Sequence, residues 1–105
     1  MVEAIIYELD KPRYIKLTMK TICRIEALTG IQFMAMDLKK ISTTVQTAIV
    51  WAGFANDDPD ITLDQVYDLI DKYSDSVKLY EVVIKAVLAT LPEKKPGEKQ
   101  SKNAG

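Results

Sequence analysis

Few residues in this chain could do chemistry. Among its 105 residues there is one cysteine and no histidine. Disulfide frameworks and His/Cys zinc sites within the chain are therefore excluded, and no imidazole is present to act as a base. The cysteine, Cys23, would be a nucleophile only if a base or positive neighbour drew its thiol toward thiolate. Lys20 and Arg24 are the neighbours available, and helical spacing places Cys23 near the apolar side of its segment. A buried core cysteine is the simpler reading. The acidic run Asp57, Asp58 and Asp60 could in principle hold calcium, but it lacks the central glycine and terminal bidentate glutamate of an EF-hand loop. Carboxylates solvated ahead of a helix N-terminus, where the dipole favours them, explain the run better. Nothing marks a pair of carboxylates as acid and base for hydrolysis. The expectation is a protein that is not an enzyme, with no catalytic, cofactor-binding or metal-binding residues.

The elements around these residues are legible from local signals. Glu3 to Leu9 is rich in Ile and Tyr without helical periodicity, and reads as a strand. Asp10-Lys11-Pro12-Arg13 reads as a turn, and Tyr14 to Thr18 alternates again, with Ile15 and Leu17 on one face. Two strands alone are marginal in water, so the hairpin must lie on helices or pair with another subunit. Thr18 caps a predicted helix that stops at Gly30, with Ile22, Ile25 and Thr29 on one side. The stretch 31–41 reads as a loop with a short helical turn. Ser42 caps a further helix, Thr43 to Ala55, with Val45, Ala48, Ile49 and Ala52 on its apolar face. Thr62 and Gln65 form a capping box for a helix with Leu63, Val66, Tyr67 and Ile70 inward and Asp64, Asp68 and Asp71 outward. Ser76 is expected to cap the last helix, which Pro92 stops. The fold class is α+β, mainly α: an N-terminal β-hairpin, about four short helices and a disordered C-terminal tail. Residues 1–92 form one domain, and 93–105, without a large apolar residue, form the charged tail.

The last helix carries more apolar surface than one small core uses. At about 100° per residue, Lys78, Glu81 and Lys85 make a polar stripe roughly 60° wide. Val77, Tyr80, Val83, Ile84, Val87, Leu88 and Leu91 form the expected core band, which leaves Leu79, Val82, Ala86 and Ala89 as a second apolar flank. One such face is the norm for a surface helix, so the second flank is assigned to a partner; the alternative is that the hairpin or the Phe33 to Leu38 loop covers it. Trp51 and Phe54 are candidate anchors, Trp being enriched at binding hot spots. The alternative for Trp51 is packing beneath the hairpin. Met34 and Met36 pose the same choice between gap-filling core and adaptable binding surface. If the flank binds a partner, Leu79→Asp and Val82→Asp should abolish that binding without unfolding the domain.

A net charge of −1 supplies no field for nucleic acid or an anionic membrane. No run approaches the roughly 18 apolar residues of a membrane span. The stretch MVEAIIYELD is short, acidic and without a basic leader, so it is not read as a signal peptide. These readings place the protein in the cytosol.

The order of the pieces carries a family resemblance. Arg13 precedes a strand; Ile25-Glu26 and Thr29-Gly30 end a helix; Trp51-Ala52-Gly53-Phe54 ends another; and Asp58-Pro59 leads to Thr62-Leu63 at a helix start. Over about residues 12 to 91 this arrangement resembles the small tail assembly chaperones of long-tailed bacteriophages and prophages, including related gene transfer agent proteins. Each motif is short, and the match rests on order and spacing. The resemblance implies a non-enzymatic protein that coats the tape measure protein, and meets the tail tube subunit, before the tube polymerises. It implies residence in the host cytoplasm and absence from the finished virion. Coating a long client also favours many identical copies, so a homo-oligomer is a further expected partner. Many members also have a longer form made by ribosomal frameshifting. A structural phage component, such as a head–tail connector or tail completion protein, is the alternative. A helical transcriptional regulator is a further one, though it would need a basic recognition helix.

Overall fold

The computed structural model describes residues 3–90; the tail expected at 93–105 and Leu91 of the last helix lie outside them. Strand β1 (Ile5–Glu8) pairs antiparallel with β2 (Pro12–Ile15), Ile5 opposite Ile15 and Ile6 opposite Tyr14. Period-two alternation sends Tyr7, Ile15 and Leu17 into the core and leaves Ile6 and Tyr14 outside. The turn between the strands is clamped by Arg13, whose Nε and Nη2 donate to the two carboxylate oxygens of Asp10 at 2.9 and 3.1 Å. The hairpin lies on helices of its own chain, β2 against α2 (Thr43–Phe54) and β1 against α4 (Ser76–Thr90).

Helix α1 (Met19–Thr29) begins as its sequence directs, with the Thr18 hydroxyl accepting from the Thr21 N–H at 3.2 Å. It ends at Gly30, whose φ of 74° is one that a side chain would resist. The stretch expected as a loop with one helical turn contains two short 3₁₀ turns, Phe33–Ala35 and Leu38–Lys40. The Phe33 N–H donates to the Glu26 carboxylate at 2.9 Å, tying the first of them to α1.

The core is organised around α2. Ser42 caps it, and Gln46, Thr47, Ala48, Ile49, Val50, Ala52, Gly53 and Phe54 are all buried. This is more than the one face its periodicity indicated, because α1, α3 (Leu63–Tyr73), α4 and β2 all pack on it. A helix enclosed on every side has no use for a polar face. Its Gly53 admits β2: a Cβ built there would stand 2.5 Å from Ile15 Cγ2 and 3.1 Å from Ile15 Cα. Gly53→Val should therefore destabilise the domain by about 1–3 kcal/mol despite the better helix former. Thermal or urea unfolding checks this, with a lowered midpoint expected.

Helix α3 carries the expected reciprocal capping box between Thr62 and Gln65. Val66 and Ile70 are buried, while Asp64, Asp68 and Asp71 face solvent. Tyr67, read as inward, is exposed. The cap of α4 also differs from expectation: Ser76 is the first helical residue, and the Asp75 carboxylate accepts from the Lys78 N–H at 2.8 Å. A carboxylate there meets the positive helix end as well as the N–H group.

Cys23 is exposed, not buried. The buried residues of α1 are Thr21 and Ile25, and two residues' displacement from each carries Cys23 roughly 160° round the helix from both. Met19 is exposed as well.

Candidate partner-binding surface

Helix α4 presents the opposite apolar flank from the one assigned to a partner. Leu79, Val82 and Ala86 are only 1–2% exposed and belong to the core with Val83 and Val87. Of the four residues on that flank, Ala89 alone is exposed. The physical reason lies in the neighbours: α4 meets α2, itself almost wholly apolar, and β1. The residues left outward are Val77, Tyr80 and Leu88, 67, 40 and 57% exposed, with Ile84 half-buried between them. These four fall within an arc of roughly 80° and extend about 16 Å along the helix. Their steps of three, four and four residues are those of an amphipathic seam.

Charge borders this stripe. On one side Lys78 and Glu81 form a 3.8 Å ion pair, with Lys85 following. At another edge the Tyr80 hydroxyl donates to the Leu38 carbonyl at 3.2 Å. This bond brings the 3₁₀ turn bearing Lys39 and Lys40 to the stripe.

Neither expected anchor is a free surface residue. Phe54 is buried, its ring 6.4 Å from that of Tyr7 and 5.8 Å from the Arg13 guanidinium carbon. Trp51 is half-buried and donates its indole N–H to the Ile61 carbonyl at 2.9 Å, with the Arg24 guanidinium 5.9 Å from its ring centre. It joins α2 to the segment before α3, and its indole satisfies a loop carbonyl that would otherwise lack this partner. Met34 is exposed, whereas Met36 packs against the core. The outward Ile6–Tyr14 pair is a smaller apolar patch that the partner assignment missed; the strand alternation was its only signal.

The acidic run works as local structure. Asp58 lies 3.7 Å from Arg13 Nη1, and Asp57 lies 3.4 Å from Lys16 Nζ, linking the loop after α2 to the hairpin. Among the described residues no group of three or more His, Cys, Asp or Glu side chains is placed to hold a metal ion. A cleft of about 350 Å³ lies between the hairpin turn and α3. Its inner cation, Arg13, is already engaged by Asp10 and Asp58.

The Arg13 hydrogen bonds hold the Asp10 carboxyl below the usual carboxylate range. A carboxyl whose pKa falls on folding adds stability above its unfolded value, and the gain is lost as pH falls through the folded value. Asp10→Asn should therefore cost stability at neutral pH, by no more than about 1 kcal/mol for so exposed a pair. The gap from the native chain should close below about pH 4; urea unfolding at both pH values checks it.

No family model matches this chain, and no curated protein or solved structure matches it either. Among the described residues no helix is long and apolar enough to cross a membrane.

Proposed function

We propose that this protein is a tail assembly chaperone of a long-tailed phage or prophage. In this reading it is non-enzymatic, acts in the host cytoplasm, and binds the tape measure protein and the tail tube subunit before the tube polymerises. It does not remain in the finished particle. The observation that carries the reading is the exposed stripe Val77, Tyr80, Ile84 and Leu88 on a helix whose opposite face is anchored in the core. A chaperone for a long helical client needs such a face: apolar, linear, and held by a body that does not collapse onto it.

The residues that carry the family resemblance support the proposal differently. Arg13 clamps the hairpin turn, Gly30 turns the chain after α1, Trp51 holds the segment before α3, and Thr62 starts α3. They are joints of the fold, so their order and spacing describe an architecture, while the client surface lies elsewhere.

A tagged chain recovered from host cells during phage induction tests the proposal. The expected bound proteins, identified by mass spectrometry, are the tape measure protein and the tube subunit, with no copy of the chain in purified particles. Stoichiometric presence in mature particles would overturn the proposal and favour a structural component.

A further inference from the structure

Resting on the reading of the α4 stripe as the client surface, we infer that its occupant is an amphipathic helix whose apolar seam is flanked by carboxylates. The stripe sets the first half of this specification. Val77, Tyr80, Ile84 and Leu88 recur at three- and four-residue steps, so a facing helix with apolar residues at heptad spacing matches them knob for hole. An extended strand, with side chains on one face every two residues, would not keep register over the roughly 16 Å involved.

The rim sets the second half. Lys78 and Lys85 border the stripe on α4, and Lys39 and Lys40 stand on the 3₁₀ turn that the Tyr80–Leu38 hydrogen bond fastens beside it. Against these four cations stand Glu81, already paired with Lys78, Asp75, whose carboxylate caps α4 by accepting from the Lys78 N–H, and Asp37, whose carboxylate caps that turn by accepting from the Lys39 N–H. The rim is thus net positive although the whole chain carries −1. Acidic flanks on the occupant are attracted by it, and basic flanks are repelled. The same rule disfavours a second copy, which would bring an identical positive rim against the first.

The test uses synthetic amphipathic peptides of about three heptads, fluorescently labelled, with identical leucine seams and either glutamate or lysine flanks. Like-charged flanks keep each probe from pairing with itself. Measured by anisotropy at low salt, the glutamate peptide should bind the intact protein at least about tenfold more tightly than the lysine peptide, a difference that salt should erode. Lys39→Glu with Lys40→Glu should shrink this preference, and Val77→Asp with Leu88→Asp should remove binding of both peptides. Equal binding, or preference for lysine flanks, would overturn the inference. So would sedimentation showing a dimer that the Val77 and Leu88 substitutions dissolve. Tape measure capture without peptide preference would sink only this inference. Peptide binding as stated, with no capture of tape measure or tube protein, would sink only the chaperone reading.

Discussion

Leu79→Asp and Val82→Asp should each unfold this domain. Both side chains are almost completely buried, in a core they share with α2 residues such as Ile49 and Val50. Removing a buried Leu typically costs about 2–5 kcal/mol through lost transfer energy and the cavity left behind. An aspartate adds the cost of desolvating a carboxyl group with no positive partner in an apolar cluster, several further kcal/mol whether it ionises or takes up a proton. A small domain holds only about 5–15 kcal/mol in total. Circular dichroism at neutral pH should show little native helix and no cooperative thermal transition for either variant. The expectation from sequence alone was that these substitutions would spare the fold; a native-like melt would restore that flank as a surface.

The second large effect is the converse. Val77→Asp combined with Leu88→Asp should leave the fold intact and abolish client binding. Both side chains are more than half exposed, so their replacement removes little buried area and strands no charge in the core. Surface changes of this kind usually move stability by about 0.5 kcal/mol or less. In a bound complex, however, the two carboxylates would replace the apolar residues at both ends of the seam, where a desolvated charge is disfavoured. The variant should melt within a few degrees of the native chain and lose at least about tenfold in client affinity, measured by anisotropy or co-purification. A loss of folding instead would mean that the stripe supports the core, not a partner.

The sequence made plain those features whose causes are local. Thr18, Ser42 and Thr62 begin helices because their side chains accept from N–H groups three residues on, with Gln65 accepting in return from the Thr62 N–H, and Gly30 ends one because it tolerates a positive φ. The hairpin followed from alternation, but its turn is tighter than the expected Asp10–Arg13: Pro12 and Arg13 already pair in β2, opposite Glu8 and Tyr7, and the strand ends at Ile15, not Thr18. Questions of which neighbour lies where were not legible in the same way. Helix α4 has two apolar flanks, and only its placement on α2 and β1 decides that Leu79, Val82 and Ala86 go inward and Val77 and Leu88 outward. Trp51 likewise could not reveal that its indole would serve the Ile61 carbonyl ten residues ahead. The doubled apolar character of the last helix was a sound signal of surplus surface, but periodicity alone could not say which flank was surplus.

As the proposed chaperone, this chain would keep a long helical client soluble. The most direct test is co-expression with a tape measure protein of a long-tailed phage or prophage from the same host, measuring the soluble fraction of that protein after centrifugation. The tape measure protein should aggregate when expressed alone and stay in the supernatant, bound to this chain, when the two are made together. A tape measure protein equally insoluble with and without the chain would contradict the proposal.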